Sequence, residues 1–354
     1  MKVLHAPANT SSLNSTTVTA LRQIGVEARG LVIGGSSVTS YESIKVVRSR
    51  ITGPRRIILS TKWFYELLKG LLWADVLHWY SGKIILPWRM DLRLAGSFVE
   101  SRFVEWTGSD IRIPEREADE NPYYRRLYKE GLIEKVLKES REKSVYRQLL
   151  FSKLGFSFLV SHSTADYVLD NIDVPVYLVP IRILVSRFQP RYPETNKDKP
   201  HIVHMSTNFM IKGTDLVIKA VKRLRNRADF RFTLIHNVER EKALEVLKTA
   251  DIFLDQFILG HYGVAALEAM AFGKPVIAYI KPSALKRYPR ELPVVNATEE
   301  TLEEKILELI KNPELRRELG KKSRIYVEKY HDALKIAREL VEEIYPHAGR
   351  PLFT

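Results

Sequence analysis

The stretch Ala250–Ile280, ADIFLDQFILGHYGVAALEAMAFGKPVIAYI, limits the possible folds more than any other part of this chain. Asp251–Phe257 is an apolar run of strand length, Leu259–Gly263 reads as a turn, and Val264–Phe272 is rich in the helix formers Ala, Leu, Met and Glu. Gly273 stands where a helix C-cap belongs, and Pro275 opens a second apolar run, Val276–Ile280. Strand, helix and strand in that order form a βαβ unit, and such units build parallel α/β sheets. Ligands of these sheets sit at the carboxyl ends of strands beside helix N-termini, where Gly260–Gly263 falls. Within the helix, Val264, Leu267 and Ala271 mark the apolar face. Glu268 lies at the edge of that face, so its carboxylate either pairs with a nearby Lys or Arg or serves a ligand. The free amides around Gly263 and Val264 suit a phosphate.

The run GHYGVAALEAMAFGKPVIA resembles the signature of the family 4 glycosyltransferases, whose fold is called GT-B. Glu268 falls on the second of the two glutamates of the family pattern, and Ala269, Met270, Ala271, Gly273, Pro275 and Val276 fall on the positions that follow it. Gly260 takes the place of the first glutamate. The resemblance implies an α/β protein of the GT-B fold, with two Rossmann-like domains and a cleft between them. It also implies that Glu268 holds the ribose of a sugar nucleotide, with His261 or Tyr262 near the space that the first glutamate would fill.

Composition narrows the setting. A length of 354 residues suits two domains. The chain has no Cys, so it has no disulfides, no thiolate metal site and no thiol nucleophile. That fits a reducing cytoplasm, and with its many Lys, Arg and Glu it also fits a thermophile. Met1–Pro7 leads directly into a strand, so no signal peptide is expected, and no apolar stretch is long enough for a transmembrane helix. The formal net charge of +14 favours polyanions, whether nucleic acid, anionic lipid or phosphate-bearing substrates.

Lys2–His5 reads as a strand, Ala6–Ser15 as a polar loop, Thr16–Ile24 as a helix and Glu27–Ile33 as a strand. This opening resembles an amino-terminal GT-B domain, whose first loop approaches the donor; Asn9 is accordingly placed on the acceptor or sugar side. Gly-x-Gly-x-x-Gly is missing, so a classical dinucleotide site is not indicated. His5 ends its strand and is either structural or cleft-facing. Arg56–Leu59 reads as a strand and Thr61–Trp73 as a helix of the core, with a membrane-facing helix as the alternative. Asp75–Trp79 and Phe103–Trp106 read as strands. The loop Thr107–Arg112 resembles the His-Gly-Ser-Asp-Ile-Arg stretch of one family branch, with Thr107 in the His position. Asp110 and Arg112 are either a turn with a local ion pair or groups facing sugar or acceptor.

Glu115–Glu142 reads as helical with a charged face, and Phe156–Ser161, Ser163–Leu169 and Val176–Pro180 as strand, helix and strand. Ser186–Pro200 has three prolines and no periodicity, as a linker would. A strand, His201–Met205, then leads through STNFMIKG into a helix, Thr214–Asn226. A cation beside a helix N-terminus suits phosphate, although a lone Lys-Gly can equally be an exposed turn. Ala333–Ile344 is a final amphipathic helix. The expected domains are therefore 1–185, Rossmann-like and on the acceptor side; a linker at 186–200; 201–332, Rossmann-like and nucleotide-sugar-binding; and a helix at 333–354 crossing back to the first domain.

By resemblance, the chain is a glycosyltransferase moving a sugar from a nucleotide-sugar donor to a glycan, lipid-linked or small-molecule acceptor, with retention and without metal or cofactor. Asn208, Lys212, Gly213, His261, Tyr262, Gly263, Val264 and Glu268 form the donor site in that reading. His78 and Asp110 are the catalytic candidates, with Arg112 and Asn9 on the acceptor or sugar side. The protein is expected in the cytoplasm, with peripheral contact to an anionic membrane compatible with its charge, and no nucleic-acid module is recognised. The alternatives are a GT-B epimerase, a catalytically silent nucleotide-binding protein of the same fold, or a polyanion-binding protein.

Overall fold

The computed structural model describes residues 1–34, 39–47, 55–196 and 198–348. The chain forms two compact units, one of Met1–Arg116, Gly131–Arg182 and Ala333–Thr354, the other of Glu117–Glu130 and Ile183–Asp332.

In the first unit, seven parallel strands stand in the order β3-β2-β1-β4-β5-β6-β7 among the described residues. They are β1 (Lys2–Ala6), β2 (Glu27–Ile33), β3 (Ile44–Val47), β4 (Val76–Tyr80), β5 (Ser101–Glu105), β6 (Ser157–Val160) and β7 (Val176–Leu178). The register sets His5 beside His78 and Tyr80 beside Glu105. Because side chains alternate along a strand, the two faces differ sharply. One face carries Leu4, Ala6, Leu77, Trp79, Val104 and Trp106, all in the apolar core. The other carries His5, His78, Tyr80 and Glu105, every one of them buried.

Helices α1 (Leu13–Gln23), α2 (Arg55–Trp73) and α3 (Met90–Phe98) belong to this unit, as do α6 (Arg141–Lys153) and the carboxy-terminal α14 (Ala333–Glu339); α4 (Pro114–Glu120) straddles the boundary and α5 (Pro122–Lys129) lies in the second unit. Arg56–Leu59, expected as a strand, is the start of α2: the apolar run continues into Trp63, Leu67 and Leu71 at helical spacing, and burying that stripe decides the matter. Those three residues are in the core, while Tyr65 and Leu72 point outward. Ser163–Leu169, expected as a helix, makes only a single tight turn at Ala165–Tyr167. The Thr164 hydroxyl accepts the Ser161 amide and donates to the Ser161 carbonyl there, a competitor to helical bonding. Glu115–Glu142, expected as helical throughout, is broken into short pieces, with Asn121 capping α5 and Gly131 in a left-handed conformation, φ +69°.

Among the described residues the second unit holds five parallel strands in the order β12-β11-β10-β8-β9, comprising β8 (His201–Ser206), β9 (Arg231–His236), β10 (Ile252–Leu254), β11 (Val276–Ala278) and β12 (Val295–Asn296). Its remaining helices are α7 (Phe209–Lys212), α8 (Thr214–Leu224), α9 (Arg240–Lys248), α10 (Val264–Ala271), α11 (Pro282–Arg287), α12 (Leu302–Lys311) and α13 (Pro313–Tyr330). The proline-rich segment expected as a linker groups with this unit: the Arg191 amide bonds the Phe272 carbonyl at 2.8 Å, Phe188 packs edge-on against Phe272, and Arg317 reaches the Pro193 carbonyl. Among the described residues no helix is long and apolar enough to cross a membrane.

Candidate active site

The donor-side candidates gather where β8 and β10 end. After β8, Asn208 turns the chain into α7 by accepting the Ile211 amide at 3.2 Å. Gly213 follows in the left-handed conformation, φ +68°, with Phe257 Cβ only 3.1 Å from where a side chain would start. This tight reversal aims Lys212 toward the end of β10, where its Nζ lies 2.6 Å from Asp255 Oδ1. Below it, His204 bridges the Leu254 carbonyl and the Thr214 hydroxyl. Burial, partly offset by the Leu254 carbonyl, pushes the His204 pKa down to about 4, so the ring is neutral near pH 7 and serves as a clamp between strands and α8.

Asp255 is wholly buried, and its second oxygen accepts the Gly263 amide at 2.7 Å. One carboxylate thus takes both the cation and an amide at the head of α10, the two features suited to a phosphate. The apolar run containing Asp255 is shorter than the sequence suggests, since only Ile252–Leu254 is strand. Beside it Gln256 bonds the His261 carbonyl and ring, fixing the loop. Gly260 has φ +67°, and a Cβ there would come within 2.8 Å of Lys281 Cβ. That contact explains why a glutamate does not stand here: the position is a left-handed turn pressed against Lys281, itself paired to Glu117 at 2.5 Å.

Tyr262 points into the unit, stacked on Tyr288, with its hydroxyl between Tyr326 at 3.1 Å and His331 at 3.0 Å. Its side chain is interior packing, and only its backbone belongs to the loop. Glu268 pairs with Arg240, the first residue of α9. Burial raises the Glu268 carboxyl, and the Arg240 guanidinium pulls it back. The ion-pair expectation therefore holds for Glu268, while Arg240 keeps 22 % of its side chain exposed.

The candidates of the first unit are held by internal partners. His78 is fully buried: Nδ1 lies 2.8 Å from the Tyr345 hydroxyl and Nε2 2.8 Å from Glu105. With Glu105 ionised, Nε2 donates and Nδ1 accepts from Tyr345. Both nitrogens of His78 are thus engaged within the buried polar cluster of this unit. His5 stacks on His78 at 4.7 Å in the same cluster. Asp110 accepts the amides of Thr107 and Gly108, the latter at 2.8 Å, and closes a turn. Burial raises its carboxyl and these amides lower it. Arg112 does not pair with Asp110; it is buried against Glu139. Asn9 bonds the Ser15 amide and the Ser40 carbonyl, tying the first loop.

Sequence reasoning missed Asp255, Gln256 and Arg240 around the donor-side loop. A carboxylate at the end of an otherwise apolar strand run was the available signal for Asp255; Arg240 gave none, because only the fold brings α9 to α10.

Residues 231–326 match the family described as Glycosyl transferases group 1. Over this segment the chain is similar to the group 1 glycosyltransferases. No curated protein matches it in sequence. Among solved structures it is similar to sucrose-phosphate synthase from Thermosynechococcus elongatus, at 14% identity and a TM-score of 0.63, covering 97% of this chain and 98% of the other. It is similar to a glycosyltransferase from Rickettsia africae, at 15% identity and TM-score 0.63, covering 97% of each chain. It is similar to HepE from Anabaena in complex with UDP and glucose, at 13% identity and TM-score 0.63, covering 97% and 98%. These likenesses show the fold, GT-B, as expected. The matched segment contains α10 and its loop, whereas Asn208, Lys212 and Gly213 lie ahead of it.

Proposed function

We propose that this protein transfers a sugar from a nucleoside-diphosphate donor to a glycan, lipid-linked or small-molecule acceptor, with retention of anomeric configuration and without a metal. One observation carries the reading: Lys212 and the head of α10 converge on a single anion position at the carboxyl ends of β8 and β10. Chemistry that expels a diphosphate needs positive charge where the leaving group develops, and fixed donors do this without reorganising. Lys212 Nζ and the amides of Gly263 and Val264 are such donors. Glu268, further along α10 and paired to Arg240, is the residue we assign to the ribose on the family resemblance. HepE is described with UDP and glucose, which makes UDP-sugars the first donors to try.

A thermal-shift screen against UDP, GDP, ADP, CDP and their sugar conjugates tests the reading. A ligand at a hundred times its dissociation constant adds about 2.7 kcal/mol of stability. A single nucleotide standing out, followed by slow donor hydrolysis without acceptor, supports a transferase. Product anomers read by NMR and activity in chelator test retention and metal independence.

A second reading, a nucleotide-binding protein without transferase activity, is favoured by a different observation. His78, Asp110 and Arg112 are all engaged by internal partners. Nucleotide binding with no release of sugar from any conjugate would select it.

A further inference from the structure

We propose that Asp255 is a built-in competitor for the diphosphate: its carboxylate fills the anion position made by Lys212 and the head of α10, and so weakens the hold on the leaving nucleotide. The inference rests on the proposed role of Lys212 in diphosphate binding.

The geometry leaves little room for a bystander. Oδ1 lies 2.6 Å from Lys212 Nζ and Oδ2 lies 2.7 Å from the Gly263 nitrogen. A side chain at Gly263 would begin 3.4 Å from that Nζ and 3.7 Å from Oδ2, so cation, carboxylate and helix head meet at one point. Asp255 is completely buried, while Lys212 keeps 16 % of its side chain exposed. A ligand arriving from solvent meets the lysine first and the carboxylate directly behind it.

Asp255 has two opposed effects. It holds the lysine side chain in one place, which helps binding, and it cancels the lysine charge and repels phosphate, which hinders binding. The first effect is limited to the side chain, because the backbone that carries it is fixed independently. The Lys212 backbone is set by its amide to the Asn208 carbonyl at 3.0 Å, by the Phe257 amide to its own carbonyl at 3.1 Å, and by the turn at Gly213. The second effect is large, because charges a few ångströms apart in a poorly hydrated site interact far more strongly than in water. A diphosphate must therefore take Lys212 and the Gly263 amide away from Asp255 or share them. Either route costs affinity and speeds release.

The experiment compares the full-length wild type with Asp255→Asn by calorimetry and stopped-flow. The probes are UDP, GDP, ADP, CDP and inorganic pyrophosphate. Asn keeps one oxygen for the Gly263 amide and turns its NH2 to Lys212, releasing the cation. We expect the dissociation constant of the preferred diphosphate to fall about tenfold or more, mostly through slower release. The parent nucleoside, lacking phosphate, is expected to bind unchanged. In a Lys212→Met background the same substitution is expected to gain less affinity than in the wild type, since the contest for the cation is gone and only repulsion and the contest for the Gly263 amide remain. Asp255→Ser serves if the Asn variant does not fold, and melting curves confirm folding of each. Equal or weaker diphosphate binding in a folded Asp255 variant overturns the proposal and leaves Asp255 as a structural carboxylate. Failure of the wild type and of both variants to bind any nucleotide or pyrophosphate overturns the diphosphate site itself, a distinct result.

Discussion

Arg182→Met removes the cation around which the polar face of the first unit is arranged. Arg182 is buried and donates to both oxygens of Glu105, at 2.9 and 2.7 Å, to the Thr17 hydroxyl at 2.8 Å and to the Tyr80 hydroxyl at 3.2 Å. Burial by itself would raise the Glu105 carboxyl. The Arg182 charge, with hydrogen bonds from His78 and Arg182, overcomes this and holds it at about 2, against an ordinary 4.5. A depressed carboxylate contributes stability that is fully present above its unfolded value and is lost as pH falls through the folded one, here between about 4.5 and about 2. That depression is worth roughly 3 kcal/mol. Breaking a buried pair from one side costs about 3–5 kcal/mol, in agreement. For a domain of this size the first unit should melt roughly 6–20 °C lower. In the variant only the His78 hydrogen bond still opposes burial, so the Glu105 carboxyl rises, binds a proton on folding, and the deficit narrows as pH drops from about 7.5 to about 5. Glu105→Gln added to Arg182→Met should recover much of the loss, because the uncompensated charge is gone. Circular-dichroism melts at both pH values read these changes. A loss below about 1 kcal/mol, the size typical of an exposed pair, would refute the reasoning. So would a deficit that does not move with pH.

Three further outcomes are expected. Lys212→Met should weaken nucleoside-diphosphate binding by about tenfold or more, about 1.4 kcal/mol, and unchanged affinity in calorimetry would remove Lys212 from the site. Glu268→Gln should weaken nucleoside binding beyond any change in melting temperature; a drop in melting temperature alone would make the Arg240 pair purely structural. Gly260→Glu forces a side chain into a left-handed turn against Lys281 and should cost at least about 1–3 kcal/mol of stability in urea melts, so a neutral result would mean the loop relaxes freely.

Much of the second unit was legible in the chain because its signals are local. The strand, turn and helix of 250–280 are encoded by apolar runs, a glycine cap and helix formers that act within a few residues of one another. Lys212, Gly213 and Asn208 were singled out by the family resemblance of STNFMIKG, with the order of strand, Lys-Gly and helix in support. The ambiguous runs were those where local preference is weak. Arg56–Leu59 has the composition of a strand, and only burial of Trp63, Leu67 and Leu71 in one stripe makes it helical.

Side-chain roles were far less legible. His78 stands at a strand end, where a cleft-facing residue would stand. Its position under Tyr345 and against Glu105 follows from pairing elements 267 and 27 residues apart in sequence. Arg112 has Asp110 as its near neighbour in sequence, yet takes Glu139, because the turn spends the Asp110 oxygens on backbone amides. Periodicity, caps and turn chemistry act over a few residues, so the chain alone determined the α/β class, the βαβ unit and the location of an anion-suited helix head. A charged or polar side chain, once buried, takes whichever partner the packing brings within hydrogen-bond distance, and that partner can come from anywhere in the chain. The tertiary structure alone therefore decided that Asp255 bonds both Lys212 and the Gly263 amide, that Arg240 answers Glu268, and that a side chain at Gly260 would press on Lys281.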